Sequence, residues 1–105
     1  MGKGKAIRII KKFVKALKKE GIAIERVILY GSYAKGNPHP DSDIDVAVVS
    51  KNFGEDRVEE GINLFRIAGK IDPRIEPLPI SSDSNKKDLW VPLIYEIRRR
   101  GIKVA

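Results

Sequence analysis

The sequence contains no cysteine in its 105 residues, which excludes a disulfide framework and any metal site built from thiolates. It also lacks an apolar run long enough to span a membrane. The basic N-terminal segment "MGKGKAIRIIKK" is not followed by an uninterrupted apolar core with a small-residue cleavage site, so it does not match a secretory signal. These absences predict a cytoplasmic protein with no membrane partner.

Length and charge narrow the class of protein further. A chain of 105 residues suits one domain, residues 1–105, with a single hydrophobic core and no room for a second substrate-binding domain. The net charge of +7 allows attraction to nucleotides or nucleic acid. Because the lysines follow a helical pattern, solvated helix faces explain most of this charge, so nucleic acid is a possible but not a favoured partner.

The hydrophobic pattern predicts the element order α-β-β-α-β-α, which corresponds to an α/β fold with a small mixed β-sheet flanked by α-helices. In the second long helix, the inner face is predicted to consist of Val58, Ile62, Phe65 and Ala68. The predicted helices are "KAIRIIKKFVKALKKE", "GEDRVEEGINLFRIAGK" and "WVPLIYEIRRR"; the predicted strands are "IERVILY", "DIDVAVVS" and, because of its prolines, an edge or bulged strand "PRIEPLPI".

Two aspartates open the second predicted strand. Residues two apart in a strand point to the same side, so Asp43 and Asp45 direct their carboxylates one way while Ile44 points into the core. Such a pair can bind one divalent cation, and Mg²⁺ prefers oxygen ligands and keeps positions free for water and phosphate. The alternative is that both aspartates lie in water at a strand end and cap the preceding loop.

A glycine and a serine end the first predicted strand. Gly31 has no Cβ and therefore allows a phosphate to approach the backbone, and Ser32 adds a hydroxyl at the start of a short helix. Lys35 and Gly36 extend this segment as a basic, tight turn. If the two strands are neighbours, a nucleotide-binding segment and a carboxylate pair face each other; an ordinary turn is the alternative for "GSYAKG" alone.

The segments "GSYAKG" and "SDIDVAVV" together resemble the signature of the polymerase-β-like nucleotidyltransferase superfamily. The spacing and the helix–strand order are most similar to its small single-domain members, the minimal nucleotidyltransferases. This resemblance implies a nucleotidyltransferase fold over nearly the whole chain. It also implies binding of ATP or another nucleoside triphosphate with two Mg²⁺ ions, and transfer of AMP to a hydroxyl with release of pyrophosphate. Some members have lost catalysis, so an inactive nucleotide-binding module is the alternative.

The resemblance also implies a third carboxylate on the next strand. Glu76 in "RIEPLPI" occupies that position, although Pro77 follows it and aspartate is more usual there. Asp72 is a rival, but it precedes Pro73 and matches a turn residue. By the resemblance, Asp43, Asp45 and Glu76 are the catalytic and metal-binding residues, and the nucleotide-binding residues are Gly31, Ser32, Lys35 and Gly36.

Similar small proteins are paired with a helical HEPN-type protein, as the antitoxin of a toxin–antitoxin module, and the resemblance implies such a partner here. The C-terminal segment is consistent with this expectation because it is apolar on more than the one stripe that a small sheet can cover. The alternatives are that the domain buries all of these apolar residues itself, or that the chain associates with itself through the same surface. The apolar residues of this segment are Leu89, Trp90, Val91, Leu93, Ile94, Tyr95 and Ile97.

Overall fold

The computed structural model describes residues 2–36, 43–83 and 92–105, and in these ranges helices flank a four-stranded sheet. The helices are α1 (Lys3–Lys19), α2 (Ser32–Lys35), α3 (Arg57–Ile71) and α4 (Pro92–Arg100). The strands are β1 (Ile24–Tyr30), β2 (Ile44–Ser50), β3 (Ile75–Ser81) and β4 (Ile102–Lys103). The predicted fold class, helices packed on a small mixed sheet, is confirmed.

The sheet is mixed, with the strand order β3-β2-β1-β4. Strand β1 pairs antiparallel with β2 and with β4, whereas β2 and β3 run parallel, connected through α3. Pro77 and Pro79 lie within β3, where they cannot donate to a ladder. Their presence is compatible with β3 because this strand lies at the edge of the sheet, as the prolines predict.

Both faces of the sheet are covered. Helices α1 and α3 pack on one face, where Phe13 and Leu17 of α1 meet Val27 and Val46 of the central strands. On the other face, Ile97 of α4 packs in a smaller cluster with inward residues of β1, β2 and β3. Residues 46–49 of β2 are fully buried, which explains why this part of the strand is apolar at every position rather than at alternate positions.

The predicted inner face of α3 is mostly wrong. Ala68 is buried as expected, but Val58, Ile62 and Phe65 are 74%, 59% and 52% exposed. The buried residues are Leu64, Ile67 and Ala68. The helix carries two adjacent apolar stripes, and periodicity alone does not say which of them faces the sheet.

Helix α4 is only partly covered by the rest of the chain. Ile97 is 1% exposed, whereas Leu93 and Tyr95 are 43% and 49% exposed. The other apolar residues noted in this segment, Leu89, Trp90 and Val91, lie outside the described residues. Among the described helices, none combines the length and the hydropathy that crossing a membrane requires.

Candidate active site

Three neighbouring strands bring a tyrosine and two carboxylates into one row. Tyr30 pairs with Asp45 across β1 and β2, and Asp45 pairs with Glu76 across β2 and β3. Residues opposite each other in adjacent strands project to the same face of the sheet. This is the face that α4 covers, because Ile28 and Ala47, two residues along the strands, pack against Ile97.

The first aspartate of the pair lies at the entrance to β2. Asp43 is exposed and directly precedes the strand, Ile44 is fully buried, and Asp45 is half-buried. The negative charge of Asp43 contributes to the raised pKa of Asp45, so the two carboxylates are close enough to repel each other. The structure therefore has the arrangement that the alternation of the strand predicts, with the isoleucine inside and the two carboxylates on the outer side.

Gly31 is required where it stands, for two reasons. Its φ of 72° and ψ of −149° lie in a region that side chains rarely adopt. A Cβ at this position would also overlap Oδ2 of Asp45 and lie 3.2 Å from its Cγ. The carboxylate of Asp45 thus packs directly against the backbone of the Gly31–Ser32 turn. This contact brings together the Gly-Ser turn and the aspartate pair, which ten residues separate in the sequence.

We call the row of Tyr30, Asp45 and Glu76 the carboxylate row. Without a bound cation its negative charges repel each other. The pKa of Asp45 is raised from 3.8 to about 6, first because burial disfavours the charged form, and then because Glu76 and Asp43 repel it. The side chains of Asp45 and Glu76 are also close enough to share a hydrogen bond when one of them is protonated. A bound cation would remove this repulsion, so the row has the electrostatic character of a cation site.

The predicted nucleotide-binding residues follow Tyr30 directly in the chain. Ser32 begins the single-turn helix α2, and Gly36 ends it in the left-handed conformation with φ of 82°. Lys35 is not a free cation, because its Nζ lies 3.3 Å from Oε1 of Glu96 on α4. Both side chains of this ion pair are about half exposed, so Lys35 can exchange Glu96 for another anion at a low cost in free energy.

The two candidates for the third carboxylate have different surroundings. Glu76 is exposed and lies next to Asp45 in the strand register. Asp72 is bound by Arg74, which donates to both of its carboxylate oxygens over 3.0 and 2.7 Å. Hydrogen bonds from Arg74 lower the pKa of Asp72, so this carboxylate already has its counter-ion and acts as the turn residue that Pro73 suggests.

Two residues near the row were missed by the sequence analysis, Tyr30 and Glu96. Burial, followed by the charges of Asp45, Glu76 and Glu96, raises the pKa of Tyr30 to about 12, so its hydroxyl stays protonated. Tyr30 directly precedes Gly31, but only the register between β1 and β2 places it beside Asp45. Glu96 lies 51 residues after Asp45, and only the packing of α4 on the sheet could reveal it.

A divalent cation is compatible with the chemistry of these side chains. Asp43, Asp45 and Glu76 supply only carboxylate oxygens, which are the ligands that Mg²⁺ prefers, and the raised pKa of Asp45 marks an uncompensated charge. In the part of the chain that the structure describes, no three acidic or histidine side chains already converge as a ligand set. A cation would therefore need further oxygen ligands, such as those of a phosphate.

Comparison with known proteins agrees with this geometry. Residues 7–100 match the model of the family described as nucleotidyltransferase domain. The chain is also 33% identical, over 102 residues, to a protein of Methanocaldococcus jannaschii named "Putative protein adenylyltransferase". That alignment covers 93% of this chain and 97% of the relative.

Solved structures share the fold at lower identity. A nucleotidyltransferase structure from Sulfolobus solfataricus, also named putative, superposes with a TM-score of 0.68 at 17% identity, covering 96% of this chain and 80% of that one. A mutant of the toxin–antitoxin pair MntA-HpeT gives a TM-score of 0.61 at 22% identity. A toxin–antitoxin structure with AMP-PNP gives 0.62 at 23% identity. The last two each cover 90% of this chain and 71% of the other chain.

Proposed function

Because the chain belongs to the nucleotidyltransferase domain family, we propose that it transfers a nucleoside monophosphate, AMP from ATP, to a hydroxyl acceptor and releases pyrophosphate. The observation that carries this proposal is the position of Asp45. The strand register sets it beside Glu76, and its carboxylate packs against the Gly31–Ser32 turn. The name of the adenylyltransferase relative supports adenine as the base, and the AMP-PNP in a solved neighbour supports a triphosphate substrate.

In this proposal Asp43 and Asp45 would hold Mg²⁺, and Glu76 would supply a further carboxylate ligand near the attacking hydroxyl. Mg²⁺, of which two ions are expected, would neutralise the phosphate charge and lower the pKa of the acceptor hydroxyl. The raised pKa of Asp45 supports these roles, because a carboxylate that is repelled by its neighbours gains most from a cation.

The turn that follows β1 binds the triphosphate in this proposal. Gly31 lets the phosphates approach the backbone, Ser32 donates its hydroxyl, and Gly36 allows the chain to turn away after one helical turn. Lys35 neutralises phosphate charge after exchanging Glu96 for the nucleotide. The acceptor oxygen then attacks the α-phosphorus, the bond to the bridging oxygen breaks, pyrophosphate leaves, and the acceptor proton passes to solvent.

The proposed acceptor is presented by a partner protein. Among the described residues no second domain is present that could bind an acceptor, and Leu93 and Tyr95 are exposed on α4, the helix that covers the same face of the sheet. Two solved neighbours are toxin–antitoxin structures, which supports a helical HEPN-type protein as the partner and an antitoxin role for this chain. Self-association of a single domain of residues 1–105 is the competing arrangement.

A catalytically weak or inactive nucleotide-binding subunit is the second candidate function. It is favoured by the absence of a converged three-residue ligand set among residues 2–36, 43–83 and 92–105, and by the engagement of Lys35 with Glu96. In that case the chain would bind the nucleotide but act only through its protein contacts.

The position of the radioactive phosphate in ATP distinguishes these functions. The protein and its native cell extract are incubated with Mg²⁺ and ATP labelled at the α-phosphate or, in a parallel sample, at the γ-phosphate. Nucleotidyl transfer predicts a macromolecule labelled from α-labelled ATP only. No α-label above the background of an Asp43→Asn/Asp45→Asn variant would favour the inactive module.

The role of Glu76 is tested in the same assay. Glu76→Gln should lower the transfer rate by at least about tenfold while the affinity for the nucleotide stays nearly unchanged, because this carboxylate serves the attacking group. Asp72→Asn is the matched control and should transfer at the rate of the wild type once its folding has been verified. Equal rates for Glu76→Gln and the wild type would remove Glu76 from the proposed site.

A further inference from the structure

The outward face of α1 carries a row of positive charges that none of the proposed roles uses. Its members recur every three or four residues, so they lie on one side of the helix, and all of them are exposed. We call this surface the cationic stripe. It consists of Lys5, Arg8, Lys11, Lys12, Lys15, Lys18 and Lys19.

The charge of the stripe is not compensated by the rest of the described chain. No acidic residue occurs in α1 itself. The ion pairs between described residues join Lys35 to Glu96, Arg66 to Glu20 and Arg74 to Asp72, and none includes a member of the stripe. Lys5 does help to lower the pKa of Asp72, but Arg74 already binds that carboxylate.

The stripe is long and straight enough to follow a polyanion. At about 1.5 Å per residue, the helix extends about 21 Å from Lys5 to Lys19. A nucleic-acid duplex carries one negative charge per about 1.7 Å of its axis, so a duplex lying along α1 would offer phosphates to every member of the stripe. Each contact would release a condensed counter-ion, which is the main source of affinity for such surfaces.

A membrane is a poorer match than a nucleic acid. An amphipathic helix that binds lipid must insert apolar side chains, but Ile10, Phe13 and Leu17 of α1 are 0% exposed within the core. The stripe also contains no aromatic residue on which single-stranded bases could stack. These features favour sequence-independent contact with the phosphate backbone of a duplex.

We propose that the cationic stripe of α1 binds the phosphate backbone of double-helical nucleic acid without sequence preference. The stripe begins near the end of the sheet that carries the carboxylate row. The charge of Lys5 helps to lower the pKa of Asp72, which lies three residues before β3 begins. A duplex on α1 would therefore extend away from the carboxylate row along the opposite face of the molecule. The proposal is independent of nucleotidyl transfer and can be tested without ATP.

The test measures binding of a fluorescent RNA duplex of about 20 base pairs, and of a DNA duplex of the same sequence, at several salt concentrations. The variant Lys12→Gln/Lys15→Gln/Lys19→Gln removes three charges from the stripe. Because each phosphate contact contributes about 0.9 to the slope of log K against log salt, the slope should decrease in magnitude by about 2 to 3. Affinity at about 50 mM salt should fall by at least about tenfold.

The variant Arg98→Gln/Arg99→Gln/Arg100→Gln is the matched control. It also removes three positive charges, but from α4 on the opposite face of the sheet. It should therefore keep the slope and the affinity of the wild type. Equal losses in both variants would assign the binding to net charge and overturn the proposal. The proposal is also overturned by an absence of duplex binding at about 50 mM salt, or by tighter, stripe-dependent binding to anionic phospholipid vesicles.

Discussion

At the scale of single residues, the contact between Gly31 and Asp45 determines the candidate site. The glycine ends β1 with a positive φ, and the space that a Cβ would need is occupied by the carboxylate of Asp45. The two segments that carry the family signature are therefore in direct contact, and a side chain at position 31 would disturb Asp45.

Replacing Gly31 with alanine should destabilise the fold more than the same change at another positive-φ glycine. Gly21 has a φ of 82° and open space around its missing Cβ, so Gly21→Ala should cost only the conformational strain of about 1 kcal/mol. Gly31→Ala adds the overlap with Asp45 and should cost about 2 to 4 kcal/mol. Urea unfolding measures both, and equal costs would mean that Asp45 does not pack against Gly31.

The pKa shifts of Asp45 and Asp72 predict opposite effects of pH on stability in the metal-free protein. The pKa of Asp45 is raised to about 6, so the folded state loses stability as the pH rises from about 4 to about 6, and Asp45→Asn should be more stable than wild type at pH 7. This advantage should disappear near pH 4.

Asp72→Asn provides the contrast for this experiment. The pKa of Asp72 is lowered by Arg74, so its stabilising contribution is present above the ordinary pKa of 3.8 and is lost only below it. Asp72→Asn should therefore be less stable than wild type throughout the range from about pH 4 to about pH 7. Thermal melts in a chelator measure both variants, and a pH-independent difference for Asp45→Asn would contradict the raised pKa.

The sequence predicts how the candidate site residues are oriented better than it predicts their surroundings. The alternation of Asp43, Ile44 and Asp45, with the isoleucine in the core, follows from local backbone rules, whereas the spacing from the Gly-Ser pair indicates a site only through the family resemblance. The proximity of Tyr30 depends on strand register, and that of Glu96 on helix packing, and neither quantity is encoded within a short window of sequence.

At the scale of secondary-structure elements, α3 illustrates why hydrophobic periodicity can mislead. Val58, Ile62 and Phe65 recur at helical spacing, yet the stripe of Leu64, Ile67 and Ala68 faces the sheet and α1. A helix with two apolar stripes has two plausible inner faces, and the choice is made by the shape of the surface that it covers.

Truncations on the two stripes of α3 should differ strongly in cost. Leu64 is fully buried, so Leu64→Ala should lower the free energy of unfolding by about 2 to 5 kcal/mol. Val58 is 74% exposed, so Val58→Ala should change it by no more than about 0.5 kcal/mol. Chemical denaturation of both variants checks the assignment, and a large loss for Val58→Ala would show that this stripe is buried in solution.

At the scale of the whole molecule, the fold separates structural from chemical roles. The α1 and α3 face of the sheet forms the larger apolar core, and the α4 face carries the carboxylate row at the end of a smaller cluster. The order of the six longer elements could be predicted from the sequence, because each has a strong local pattern, whereas the short helix α2 and the two-residue strand β4 are additions to the predicted order. The strand order β3-β2-β1-β4 could not, because it depends on long-range pairing.

The Mg²⁺ dependence of ATP binding, measured by calorimetry on wild type and on Asp43→Asn/Asp45→Asn, tests the proposed metal site most directly. We expect Mg²⁺ to tighten binding of ATP to the wild type by at least about tenfold and to have no effect on the variant, which lacks the charged ligands. Glu55→Gln/Asp83→Asn removes the same charge from exposed positions and should behave like the wild type. If Asp43→Asn/Asp45→Asn binds Mg²⁺–ATP as tightly as the wild type does, the aspartate pair is not the metal site and the proposed mechanism of nucleotidyl transfer is wrong.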